Sequence, residues 1–344
     1  MLKNKTSIKI TTVFIFYTFY LTISKLHNII ISYMLIITGS IAYDYIMDFP
    51  GSFSDHILPE QIHKINLSFI VKTFAKRRGG TAGNVSYTLG LLKTPHKLFS
   101  TAGSDFQEYK QTLTKIGIDT SAVKVYKDTY TATGFGMTDK TNNQIWGFFY
   151  GANEYVDQLK LKTVAKKNDF VLIGPQGAKG CLSFIKQCLA LKLPYMFDPG
   201  FILTQVSNEE LTYGVEHATF LIGNDYEISL IKERVKNYEI LVKNKIVITT
   251  LGEKGALIEK NEEKITIKTV KPKQVADPSG AGDAWRGGFL AGLERNFDLK
   301  TCGQMGAVAG AYAVEQYGTQ EHSYTKKAFT KRYKDAYNET LVLK

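Results

Sequence analysis

The stretch that most constrains this chain is residues 275–291, VADPSGAGDAWRGGFLA. An apolar, β-rich segment is expected to end just before it, and small and apolar residues at helical spacing follow it. Between them lie Asp277, Pro278, Ser279, Gly280, Ala281, Gly282 and Asp283. Pro278 stops a strand. Gly280 and Gly282 permit a tight turn and a close approach to a ligand. A helix that begins here aims its first free N–H groups, and the positive end of its dipole, into the turn. That makes an anion site, for which phosphate is the natural guest. Asp283 is then awkward, because a carboxylate repels an anion. It fits as a base that takes a proton from an attacking hydroxyl while the N–H groups hold the phosphoryl group in transfer. The plainer reading is a Gly-rich turn with Asp283 as an N-terminal helix carboxylate. The spacing alone does not choose between them.

The rest of the chain supplies a frame for that turn. From residue 169 onward strands alternate with helical segments: strands at 170–173, 195–197, 220–222 and 245–250, helices at 181–191 and 208–216. The strands end in polar or Gly-rich residues such as Asp198-Pro199-Gly200, Asn224-Asp225-Tyr226-Glu227 and Leu251-Gly252-Glu253-Lys254-Gly255. This pattern argues an α/β fold: a doubly wound, mostly parallel central sheet with helices on both faces. A hairpin at 256–259 and 264–269 is expected before the opening motif. After Asp283 come two small-residue helices, 284–293 and 302–315, which leave room for a flat ring or for close helix packing.

The N-terminal half adds candidate binding groups. Residues 35–38 read as a buried strand, followed by a Gly39-Ser40 turn. Asp44 then falls where ligands bind in such sheets, at the strand carboxyl ends. It can accept hydrogen bonds from two neighbouring sugar hydroxyls, or serve as a surface cap. Gly79 and Gly80 open a helical run. Asn84, one turn in, offers a donor and an acceptor. Segments of about 44–75 and 130–151 suggest a small β lid. Its clearest part is a hairpin, 131–137 with 144–150, joined by residues 138–143. Trp146, Phe148 and Phe149 give this hairpin aromatic faces that either pack a sheet or stack on a substrate ring.

Composition excludes several classes. The chain has 344 residues, 44% of them hydrophobic, enough for one large domain or a large and a small one. The net charge of +11 includes no Arg-rich or basic-aromatic run, which argues against nucleic acid. Cys181, Cys188 and Cys302 form no CxxC pair, consistent with a reducing compartment. No Walker-type loop is present, and no G-x-G-x-x-G follows the first strand, so P-loop ATPases and dinucleotide enzymes are disfavoured. His322 reads as structural or exposed. Residues 11–23 form an apolar run that is short for a membrane span and lacks a cleavage site. Met34 opens a fresh strand, so residues 1–33 are read as an upstream extension, with a membrane anchor as the alternative.

In order along the chain, four motifs resemble the ribokinase-like, pfkB-type family of sugar and nucleoside kinases. They are Gly79-Gly80-Thr81-Ala82-Gly83-Asn84, Asn224-x-x-Glu227, Thr250-Leu251-Gly252-Glu253-Lys254-Gly255 and Asp277-Pro278-Ser279-Gly280-Ala281-Gly282-Asp283. The resemblance covers residues 34 to about 333 and leaves 334–344 as a tail. It implies that Asp283 is the catalytic base and that Gly280, Ala281 and Gly282 form the anion hole. It implies that Asn224 and Glu227 organise magnesium through water, and that Thr250, Gly252 and Gly255 line an ATP site with Asn224. Asp44, Gly79, Gly80 and Asn84 would bind the acceptor's hydroxyls. Asp277 and Ser279 fall where several members hold a monovalent cation, usually potassium. Arg286 either adds positive charge near the phosphates or lies on the helix surface. Residues 39–44, 224–227 and 318–322 are most similar to the adenosine- and nucleoside-kinase branch, with fructokinase- and ribokinase-like sugar kinases as the alternative. The expectation is a cytoplasmic, monomeric or homodimeric enzyme acting on ATP and a small-molecule nucleoside or sugar, with no nucleic-acid or membrane partner.

Overall fold

A computed structural model describes residues 33–57, 63–64, 66–141 and 143–343. The chain divides into Met1–Tyr33 and Met34–Lys344. The apolar run at 11–23 lies outside the described residues, as does all of the expected extension but Tyr33.

Fourteen strands are described: β1 Leu35–Thr38, β2 Ala42–Asp48, β3 Thr73–Gly79, β4 His96–Leu98, β5 Thr101–Ala102, β6 Lys124–Val125, β7 Ala132–Thr138, β8 Gln144–Phe149, β9 Phe170–Ile173, β10 Tyr195–Phe197, β11 Phe220–Asn224, β12 Ile246–Thr250, β13 Ala256–Lys260 and β14 Glu263–Ile267. The helices are α1 Thr81–Leu91, α2 Gln107–Lys115, α3 Ala178–Leu191, α4 Asn208–His217, α5 Asp225–Arg234, α6 Tyr238–Val242, α7 Ala281–Glu294, α8 Leu299–Ala313 and α9 Lys326–Tyr337.

The main sheet has the order β14-β13-β12-β11-β10-β9-β1-β4. β4, β1 and β9 to β12 run parallel, and β13 and β14 add an antiparallel edge. This is the doubly wound, mostly parallel sheet that the alternation of elements predicts. Its central strands are short apolar runs buried at every position of β1, β9 and β10, as expected when helices cover both faces. Alternate residues serve opposite faces. Ile36, Val171, Ile173, Phe197 and Leu221 join a core with Phe184 and Ile185 of α3, Leu211 of α4 and Ile228 of α5. On the other face Phe220 meets Phe289 of α7 edge to face, 6.1 Å between ring centroids.

β3-β2-β7-β8 form a second, smaller sheet. β2 pairs antiparallel with β3 and parallel with β7, and β7 pairs antiparallel with β8. Every residue of β8 is exposed, so Trp146, Phe148 and Phe149 are not core residues. Tyr45 stacks between Phe74 and Phe135 on this sheet.

Two boundaries differ from the sequence reading. The segment before Asp277 is not a strand: β14 ends at Ile267 and residues 268–280 are irregular. Pro272 and Pro278 lack an N–H, and the backbone N–H groups of Ala276 and Asp277 both bond to Val314 O rather than to a strand. α9 also runs past residue 333 to Tyr337, whose hydroxyl donates to Lys268 O. The expected tail therefore begins as packed helix. Among the described residues no helix is long and apolar enough to cross a membrane.

Candidate active site

Gly280 starts the site. Its φ of +73° is left-handed, a conformation that glycine adopts without strain, and it turns the chain directly into α7. No side chain caps this helix. Ala281 N–H bonds to Pro278 O, and among the described residues no acceptor meets the N–H groups of Gly282 and Asp283. That is the donor arrangement an anion requires.

Asp283 lies in the first turn of α7. Its Oδ2 accepts from Asn84 Nδ2 at 2.8 Å, a bond that joins α1 to α7. Burial pushes its carboxyl up to about 6, opposed by Arg286 and the Asn84 hydrogen bond. Arg286 is buried rather than on the helix surface, at 7% exposure. It grips Asp198 at the end of β10 with two bonds, Nε to Oδ2 at 2.5 Å and Nη2 to Oδ1 at 2.8 Å. Its Nη1 is turned towards the glycine turn, 2.9 Å from where a Cβ on Gly282 would stand. The guanidinium therefore adds fixed positive charge beside the open N–H groups. Asp198 supplies the counter-charge that a buried arginine needs. Sequence reading placed Asp198 at a strand end but gave it no role, because its partner lies far along the chain.

Asn224 and Glu227 sit at the adjacent strand end. They form a capping box: Glu227 N–H donates to Asn224 Oδ1 at 2.8 Å, and Asn224 N–H to Glu227 Oε2 at 2.7 Å. Burial raises the Glu227 carboxyl above its ordinary value. Thr250 pairs with Asn224 across β11 and β12, and its hydroxyl reaches Gly223 O at 3.4 Å. Gly252 to Gly255 close the next turn, where Leu251 N–H bonds to Gly255 O. Asp277 Oδ1 accepts from Ser279 N–H at 2.8 Å and Oδ2 from Gly318 N–H at 3.0 Å. This pins the turn to residues 318–322.

Asp44 is not on the main sheet but on β2. In one row of the small sheet, Arg77, Asp44, Gly134 and Phe148 lie side by side. The two glycines next to the carboxylate leave it room. A Cβ on Gly79 would stand 2.4 Å from Asp44 Oδ2, and one on Gly134 would stand 2.8 Å from Oδ1. The same Gly134 position is 3.2 Å from Trp146 and 3.3 Å from Phe148, so carboxylate and aromatic pair share one face. Among the described residues no hydrogen bond reaches the Asp44 carboxylate, and burial pushes it up to about 6. Gly80, at φ +86°, turns β3 into α1, where Asn84 sits.

His322 is structural. It is buried at 1% exposure, meets Tyr87 edge to face, and burial pushes it down to about 4, so it stays neutral.

This arrangement joins open N–H donors, a fixed cation and a partly neutralised carboxylate at the carboxyl ends of parallel strands. The chain belongs to the pfkB family of carbohydrate kinases, whose family model matches residues 42–327. It is a phosphotransferase with an alcohol group as acceptor, a kinase of nucleosides or sugars. It is 31% identical over 287 residues to a nucleoside kinase of Methanocaldococcus jannaschii, covering 82% of this chain and 90% of that protein. Its fold superposes on Burkholderia thailandensis nucleoside kinase in complex with inosine with a TM-score of 0.80 at 32% identity, covering 89% of this chain and all of that one. The same protein in complex with ADP-inosine gives a TM-score of 0.77 at 35% identity, covering 89% and 97% of the two chains.

Proposed function

We propose that the chain transfers the γ-phosphoryl group of ATP to a nucleoside hydroxyl, the 5′-hydroxyl of adenosine or a related nucleoside. The observation that carries the acceptor is the shared face of Asp44, Trp146 and Phe148. A nucleoside offers a sugar diol to the carboxylate and a flat base to the aromatic pair. A free sugar offers only the first.

Asp283 takes the proton from the attacking hydroxyl. The N–H groups of Gly282 and Asp283, at the Gly280–Gly282 turn, receive the charge on the moving phosphoryl oxygens, and Arg286 Nη1 adds to it. Asp44 holds the acceptor's ribose hydroxyls beside Gly79 and Gly80, and Asn84 adds a contact from α1. Asn224, Thr250, Gly252 and Gly255 border the nucleotide.

Magnesium, when bound with ATP, neutralises phosphate charge. The capping box leaves Glu227 Oε1 outside its two bonds, so Glu227 suits contact with that ion through water, with Asn224 alongside. Asp277 and Ser279 hold the turn through the Asp277 carboxylate. Each Asp277 oxygen accepts one backbone N–H and keeps a further lone pair, which a monovalent cation such as potassium could use; we derive no step through such a cation.

A panel of adenosine, inosine, ribose, fructose and fructose 6-phosphate with Mg-ATP tests the acceptor. The expected result is kcat/KM for a nucleoside at least tenfold above that for any sugar. A sugar at the top of the panel overturns the nucleoside reading while leaving the kinase class intact.

A further inference from the structure

Asn84 meets Asp283 with its nitrogen, not its oxygen, and the reason lies outside the substrate site. A side-chain amide can turn over, and here the two orientations have opposite consequences. A nitrogen facing Asp283 donates to it and favours the ionised carboxylate. An oxygen facing Asp283 requires the carboxyl to be protonated. What fixes the choice is a chain of hydrogen bonds that starts at a backbone carbonyl.

Gly79 O can only accept, and Tyr109 Oη donates to it at 2.8 Å. Having given its one proton, the Tyr109 oxygen can only accept from its other neighbour. That neighbour is Gln320, which must present Nε2, and Nε2 does bond to Tyr109 Oη. The second hydrogen of Nε2 goes to Asn84 Oδ1 at 2.8 Å. With Oδ1 held there, Asn84 turns Nδ2 to Asp283 Oδ2 at 2.8 Å. Thr319 Oγ1 lies 2.8 Å from both Asn84 Oδ1 and Arg78 O with one proton for the two of them, so Gln320 Nε2 is the donor that holds Oδ1. Tyr109 is fully buried, Gln320 is 2% exposed and Asn84 5%, so water does not compete for these bonds.

We propose that Tyr109 and Gln320 are positioning residues for the base. They form a one-way hydrogen-bond chain from Gly79 O that holds Asn84 as a donor to Asp283 and so keeps Asp283 ready to accept a proton. The proposal rests on Asp283 being the base. Asn84 keeps a second N–H, so the role does not exclude contact with the acceptor.

The other charged groups that face Asp283 leave this bond a distinct role. Arg286 acts from its own helix, Asp198 from the end of β10 and Glu227 from α5. α1, which packs on α7, carries no charged residue, and the one charged residue of α8, Lys300, pairs with Glu339. In the 318–322 loop Glu321 pairs with Arg78, and His322 is neutral.

The test is the pH dependence of kcat for Gln320→Glu and Tyr109→Phe. A carboxylate at 320 cannot donate to Asn84 Oδ1. Loss of the Tyr109 hydroxyl frees the Gln320 amide to turn. The expected result is an acid limb of kcat displaced upward by about one pH unit in Gln320→Glu and in the same direction, less far, in Tyr109→Phe. kcat in Gln320→Glu is expected to fall about twofold at pH 7 and roughly tenfold at pH 5, with acceptor KM changed less than about threefold. Tyr109→Phe keeps the buried ring and removes one atom, so it carries the test if Gln320→Glu does not fold. An unmoved acid limb in the folded variants, with only KM or the melting temperature altered, overturns the proposal. If Asp283→Asn retains full turnover, the underlying assignment of the base is wrong instead.

Discussion

Asp283 sits between two demands. Its desolvated position disfavours the charged form, while Arg286 and the Asn84 N–H restore part of it. With its carboxyl at about 6, kcat/KM is expected to rise from acid pH and level off above that value, as a rate-against-pH series would show. The same shift has a stability cost of known sign. A carboxyl raised above its unfolded value of about 4 stabilises the fold at low pH, and that contribution is lost as pH rises through about 6. Asp283→Asn is therefore expected to be inactive yet more stable at pH 8, by up to about 2 kcal/mol after solvent screening. Its melting temperature should exceed the parent's at pH 8 and converge with it near pH 4. The Arg286–Asp198 pair behaves in the opposite way. Removing one partner strands a buried charge, so Asp198→Ala is expected to lose about 3–5 kcal/mol by denaturant titration. Asp283 and its glycines are visible in the sequence because the whole motif is local. The contacts of Asp198, Thr319 and Gln320 are not, because each acts through a partner on a distant segment.

At the level of elements, the site depends on how closely α7 packs against α8. Small residues line the contact between these helices. They bring the two backbones together. A Cβ on Gly288 would stand 2.5 Å from Met305 O, and one on Gly306 would stand 2.8 Å from the Trp285 ring and backbone. Gly288→Ala must push the helices apart, at a cost of about 1–3 kcal/mol. A lower melting temperature together with a lower kcat is expected, since α7 carries Asp283. The misread strand before Asp277 has an equally physical cause. Val275 and its neighbours are apolar and β-prone, but the N–H groups of Ala276 and Asp277 bond to Val314 O after α8, a tertiary partner that no local pattern reveals. Asn224 and Glu227 were legible as a motif. Their reciprocal cap shows that the same spacing also starts α5.

At the level of the molecule, the doubly wound sheet was legible because strands and helices alternate and each strand ends in a polar or glycine turn. The register of the small sheet was not. β2 and β3 come from a segment far from the β7–β8 hairpin, and only the pairing of β2 with β7 puts Asp44 in one row with Gly134 and Phe148. That row gives the aromatic hairpin its place in the account. Phe148→Ala is expected to raise nucleoside KM about tenfold with kcat nearly unchanged, and to leave the KM for ATP alone. The proposed function turns on proton removal by Asp283 at a nucleoside hydroxyl. The most direct test is the rate of ADP formation with Mg-ATP and adenosine or inosine, measured for the parent and for folded Asp283→Asn. The account predicts nucleoside-dependent ADP release by the parent and a loss of at least about a thousandfold in kcat for the variant, with nucleoside binding retained. Undiminished turnover by Asp283→Asn would contradict it.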